Sequence, residues 1–112
     1  MPTQNESMRK LQNALVLQLR KLNDSLDDVT DSNRAQAIVR EMQEVNHRIA
    51  LTGSLLFAAQ AQELDDKVAE ISKATKTVNA AVADIENLQA FLDAISEFLG
   101  LVDEAIDLAK TL

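Results

Sequence analysis

The segment LQAFLDAISEFLGLVDEAIDLAKTL, residues 88–112, decides the fold. On a wheel of 100° per residue, its apolar side chains fill an arc of roughly 200°. Leu88, Phe91, Leu92, Ile95, Phe98, Leu99, Val102 and Ile106 lie within that arc, and Asp93, Glu97, Glu104 and Asp107 lie opposite. A strand would alternate in and out with period two, whereas this spacing is helical. An arc this wide exceeds the seam between two helices. Full burial of each Leu, Ile or Phe is worth about 1.5–3 kcal/mol, so the helix demands cover from at least two neighbours or from another chain.

The rest of the chain carries the same signal. Met8, Leu11, Leu15, Leu19, Leu22, Leu26 and Val29 recur at steps of three and four, and Thr3 with Glu6 has the spacing of a capping box. A first helix is predicted over about 4–28. The run Asp27-Asp-Val-Thr-Asp-Ser-Asn33 ends it, because its short polar side chains compete with helical hydrogen bonds and its charge opposes the C-terminal end of the helix dipole. Asn33, with Gln36 three residues on, is the expected cap of the next helix.

From there Ile38, Met42, Val45, Ile49, Gly53, Phe57, Ala61, Leu64, Val68 and Ile71 keep one phase. That continuity predicts a second helix over about 34–73 with Gly53 in its interior. The glycine costs about 1 kcal/mol relative to Ala, and a close backbone approach would account for it. The β-branched, Asn-containing window Thr75–Asn79 is the poorest helix former after residue 34 and marks the next expected break, with a third helix over about 78–111. A single rod from residue 34 to the end is the alternative. The expected fold is therefore all-α, a single domain over residues 1–112. Three long helices form an antiparallel coiled-coil-like bundle or hairpin, completed by oligomerisation.

Composition narrows function mainly by exclusion. The 112 residues hold 18 acidic and 11 basic side chains, a formal net charge of −7, with two Gly, one Pro and no Cys. All of the excess negative charge falls after residue 60, and no basic residue lies between Thr77 and Ala109. That field repels phosphate backbones and anionic lipid, so nucleic acid is not an expected partner. The longest uncharged run, Ile49–Gln62, is too short and too polar to span a bilayer. Leu11–Leu19 lacks the features of a secretory signal, and a cytoplasmic setting is expected.

Candidate chemistry is sparse. Glu44 and His47 stand one helical turn apart, a spacing used by carboxylate-bridged metal bundles, but no second such pair exists, and a solvated face is the preferred reading. Only a symmetric oligomer could complete a metal site there. His47 has no Cys or strained Ser turn to activate, and Gly53 and Gly100 belong to no phosphate-binding pattern. Asp65-Asp66 and Asp103-Glu104 lack calcium-loop alternation. No enzyme activity, cofactor or small-molecule substrate is expected.

The expected function is protein binding, to itself or to a partner, through an apolar helical face with an acidic exterior. The residues assigned to that face are Leu88, Phe91, Leu92, Ile95, Phe98, Leu99, Val102 and Ile106, with Phe57, Leu64, Val68 and Ile71 facing them. The alternative is a membrane-perturbing protein in which Ile49–Ala61 or the C-terminal helix inserts into a bilayer. A metal-binding oligomer is the third reading.

Overall fold

The computed structural model describes residues 5–111. It contains four helices rather than three: α1 (Glu6–Ser25), α2 (Ser32–Gly53), α3 (Gln62–Ala83) and α4 (Leu88–Thr111). No strand occurs among the described residues.

Helix α1 begins at Asn5, whose side-chain oxygen accepts from the backbone amides of Ser7 and Met8 at 3.0 and 3.2 Å. The expected capping box rests on Thr3, which lies outside the described residues. The turn after α1 falls where the acidic run places it, beginning as a 3-10 turn over Leu26–Asp28. The cap of α2 is Asp31 rather than Asn33. Its carboxylate accepts from the Asn33 amide at 2.9 Å and lies at the positive end of the helix dipole.

The expectation of one helix over 34–73 is corrected at Gly53, which ends α2. Past it the Leu55 amide turns back to the Thr52 carbonyl at 3.0 Å, and the Thr52 and Ser54 hydroxyls donate to the carbonyls of Ile49 and Leu51. An added Cβ at Gly53 would approach the end of the Gln12 side chain at 3.3 Å, so the close neighbour is a flexible side chain and not backbone. Residues 54–61 then run outside any helix.

The expected break at Thr75–Asn79 is likewise corrected. This window lies inside α3 with Val78 fully buried. The penalty for β-branched residues is at most about 0.7 kcal/mol each, less than burial of one Val returns. The chain breaks instead at Asp84–Asn87, where the Asn87 side chain accepts from the Ala90 amide at 3.2 Å and starts α4.

Two antiparallel hairpins, α1–α2 and α3–α4, pack side by side. Cross-links between them fix the pairing. Ser7 meets Asp65 and Gln18 meets Asn79, so α1 and α3 run parallel; Arg34 meets Glu86 and Arg48 meets Asp103, so α2 and α4 do too. Helices α2 and α3 are therefore diagonal, and the segment between them must cross one end of the bundle. It passes the start of α1. The Asn5 amide donates to the Leu56 carbonyl at 2.6 Å, and the Asn5 Nδ2 donates to the carbonyls of Ala58 and Ala59 at 3.1 and 3.0 Å. One side chain, 1% exposed, thus caps a helix and tethers the crossing.

A single apolar core runs along this bundle, which is 48 Å in its longest dimension. It contains Met8, Leu11, Leu15 and Leu22 from α1, Ile38 and Val45 from α2, Leu64 and Ile71 from α3, and Phe91, Ile95, Phe98 and Val102 from α4. The wide arc of α4 finds its cover here. Breaking the predicted second helix at Gly53 creates a fourth helix, and that helix supplies what a lone hairpin would lack.

Candidate interaction surface

The core defines what the surface can offer. Leu64, Val68, Ile71, Phe91, Ile95, Phe98, Leu99, Val102 and Ile106, all assigned from the sequence to an interaction face, are buried within the one chain. Leu88 and Leu92 are partly buried against the same core. Phe57 does not face them: it protrudes from the crossing segment, 61% exposed. These twelve residues do not form one exposed face.

Charge is sorted around the bundle. Helix α4 carries Asp93, Glu97, Asp103, Glu104 and Asp107 against a single Lys110, whereas α1 carries Arg9, Lys10, Arg20 and Lys21 against Glu6 and Asp24. These two helices occupy diagonal corners. Some cations are committed to structure. Arg48 forks onto Asp103 at 2.8 and 3.0 Å and reaches Glu44 at 3.0 Å, tying α2 to α4. The hydrogen bond from Asp103 raises the Arg48 pKa, burial opposes the rise, and Glu44 adds to it. Lys67 bonds to Glu104 at 2.8 Å and Glu70 at 3.3 Å, which raise its pKa in that order. By contrast Lys10, Lys21, Lys73 and Lys76 make no ion pair among the described residues.

Of these, Lys10 and Lys21 line the groove between α1 and α3, together with the carboxylates of Glu6, Asp24, Asp28 and Asp65. Three hollows of about 480, 350 and 320 Å³ follow one another along it, sharing Lys10 between the first two and Lys21 between the last two. Small side chains line its walls, among them Ala14, Ala69, Ser72 and Ala83. Leu17 stands at its edge, 53% exposed. At the floor of the middle hollow the Gln18 Nε2 donates to the Asn79 Oδ1 at 3.1 Å. Gln18 is only 2% exposed, and its Oε1 has no hydrogen-bond partner. A buried acceptor left unpaired costs about 1–3 kcal/mol.

The sequence reading missed Asn5 and Gln18. A signal for Gln18 existed: it stands three residues after Leu15 and four before Leu22, at a core position of α1, where a carboxamide is out of place.

The Glu44 and His47 pair lies on the surface. Glu44 binds Arg48, and His47 is exposed. No group of three or more His, Asp or Glu side chains suited to a metal ion occurs among the described residues. No helix among them is long and apolar enough to cross a membrane.

Glu41 shows a carboxyl perturbed chiefly by burial. Burial raises its carboxyl pKa, Glu44 adds to the rise, and Arg40 and Arg48 oppose it. With the folded pKa above the unfolded one, stability is fully present below the unfolded value and is lost as pH rises through the folded value. Glu41→Gln removes that loss. The variant should melt above wild type at pH 7, with the difference vanishing below about pH 4. A variant less stable than wild type at neutral pH would show that the carboxylate is a net stabilising group.

The chain matches no known family model, no curated protein and no solved structure.

Proposed function

We propose that the chain is a non-enzymatic assembly module that binds protein through its exterior, with self-association as its first testable form. The observation carrying this reading is the α1–α3 groove. It combines an exposed Leu, two lysines without ion-pair partners set among four carboxylates, and a buried carboxamide with an unused acceptor. The apolar core stabilises the bundle, and association falls to polar and small-residue surfaces. Such contacts are individually weak and respond to salt, since the Debye length is about 10 Å at 0.1 M.

Light scattering at increasing protein concentration tests this directly. At low ionic strength the average mass should rise above the 12.3 kDa of one chain and return to it when salt is added. A mass that stays at one chain throughout would remove self-association.

Phe57 favours a second reading, bilayer attachment. It protrudes from a segment that carries no charge from Ser54 to Ala61. Flotation with phosphatidylcholine vesicles at neutral and acidic pH should then carry the protein upward, and Phe57→Ala should abolish this. Absence of wild-type flotation under both conditions would end this reading.

A further inference from the structure

The segment between α2 and α3 is made of residues that favour a helix, and neither helix is stopped by its own sequence. We infer that this crossing is a hinge. Straightened, it joins α2 and α3 into one rod over about residues 32–83, and two such chains exchange their α3–α4 hairpins to form a domain-swapped dimer. The exchange uses the interior of the bundle, so it goes beyond the assembly reading above and does not depend on the groove.

Ser54-Leu-Leu-Phe-Ala-Ala-Gln-Ala61 contains no Pro, no Gly, no β-branched residue and no charge. Ala, Leu and Gln are strong helix formers. Helix α2 ends without the left-handed residue that commonly stops a helix. Neither glycine has a positive φ, and Ser54 keeps right-handed helical angles of φ −74° and ψ −12°. Helix α3 starts after Ala61, a poor N-cap, and no side-chain hydrogen bond caps it. Among the described residues, every hydrogen bond that reaches 54–61 from a distant part of the chain comes from Asn5, which holds the Leu56, Ala58 and Ala59 carbonyls. Asn5 is therefore the latch that keeps the hinge bent.

The apolar phase agrees. Ile49, Gly53, Phe57, Ala61 and Leu64 follow at steps of four and three, a pattern that one helix satisfies. The bent crossing leaves Phe57 61% exposed, whereas the straight rod returns it to the stripe. Such a rod is roughly 80 Å long at 1.5 Å per residue, against 48 Å for the closed bundle, and it parts the two hairpins of its own chain. Each hairpin then bares a core face that the complementary hairpin fits. Two rods laid antiparallel set α1–α2 of one copy beside α3–α4 of the other, with α1 parallel to α3 and α2 parallel to α4 as in the closed bundle. Around the two-fold, Phe57 meets Phe57, and Gly53 faces Ala61 of the other copy, small residues that leave room for the rings.

Outside the hinge the two forms share their core contacts, so the balance between them is fine. Asn5 and the packing of Leu55, Leu56 and Ala58 against the core favour closure. So does the short connection, which holds the halves at an effective concentration on the order of millimolar. At micromolar concentration the wild-type chain is closed. Exchange needs opening in concentrated solution or loss of the latch.

Refolding from denaturant at about 1 mM protein, followed by size exclusion with light scattering at about 1 M salt, tests this. Wild type should give a small share of dimer. Asn5→Ala loses the tether only in the closed form, and Gly53→Ala strengthens the straight helix while meeting only the flexible end of Gln12. Each should raise the dimer share severalfold. Adding Phe57→Asp should abolish the dimer and leave the melting temperature of the closed chain unchanged, because residue 57 is exposed when closed and meets its own copy when exchanged. Topology has a direct reporter, since the chain has no Cys. Ser7 and Asp65 touch across the two halves, so Ser7→Cys with Asp65→Cys, oxidised after separation, should close within the monomer and between chains in the dimer. No dimer from wild type or either variant overturns the inference. So does a dimer that keeps the disulfide within each chain, or one that tolerates Phe57→Asp. Groove association dissolves at this salt and the exchanged dimer persists, so either reading can fail while the other stands.

Discussion

Phe98→Ala is expected to lower the unfolding free energy by about 3–5 kcal/mol, a large part of the 5–15 kcal/mol that holds a domain of this size. Phe98 is fully buried on α4, within a core to which all four helices contribute. Truncation removes the transfer energy of the ring and leaves a cavity that a bundle can collapse only in part. Denaturant titration measures the loss. Because the ring lies inside one chain, the variant should keep wild-type association at temperatures where it is folded. A loss below about 1 kcal/mol, accompanied by a fall in oligomer mass, would place Phe98 at a surface between copies.

Asn5→Ala should cost about 2–4 kcal/mol, more than an ordinary helix cap. The cap itself accounts for about 1 kcal/mol. The remainder comes from the two side-chain hydrogen bonds to Ala58 and Ala59, at about 0.5–1.5 kcal/mol each. Asn5→Asp separates the two roles. Its carboxylate retains the acceptor for the Ser7 and Met8 amides, but it loses the Nδ2 donor and turns negative charge toward the crossing carbonyls. Limited proteolysis within residues 54–61 should accelerate in both variants. If Asn5→Asp matches wild type in stability and cleavage, the tether contributes nothing.

Helical periodicity was legible wherever a helix forms, because inward side chains must recur every three or four residues whatever the tertiary arrangement. Helix ends were less so. The acidic run after Leu26 identifies its turn because several unfavourable side chains cluster there. At Gly53 the apolar phase persists through Phe57 and Ala61 although the backbone is no longer helical. That persistence is misleading: in the crossing segment Leu55, Leu56 and Ala58 pack against the core, out of phase with the stripe, and Phe57 is exposed. The Thr75–Asn79 window misleads in the opposite sense. Weak intrinsic propensity is outweighed there by the burial of Val78 and the hydrogen bond from Gln18 to Asn79.

The surface depended on this error. With three helices the α4 face lacks cover, and assembly through apolar residues follows; with four, that face is interior. The groove is invisible to pattern reading because its walls come from α1 and α3, which are far apart in sequence and are brought together only by tertiary packing. Its lysines look like ordinary solvated charge until the ion pairs of Arg48 and Lys67 show which cations are already committed.

Thermal unfolding of the wild-type chain across about a hundredfold range of concentration, at about 1 M salt where the Debye length is about 3 Å, separates a core closed within one chain from a core shared between copies. Groove contacts are screened under these conditions, so a closed core gives one melting temperature at every concentration. A melting temperature that climbs with concentration would mean that copies complete each other's interior, contradicting the four-helix bundle as a self-sufficient unit.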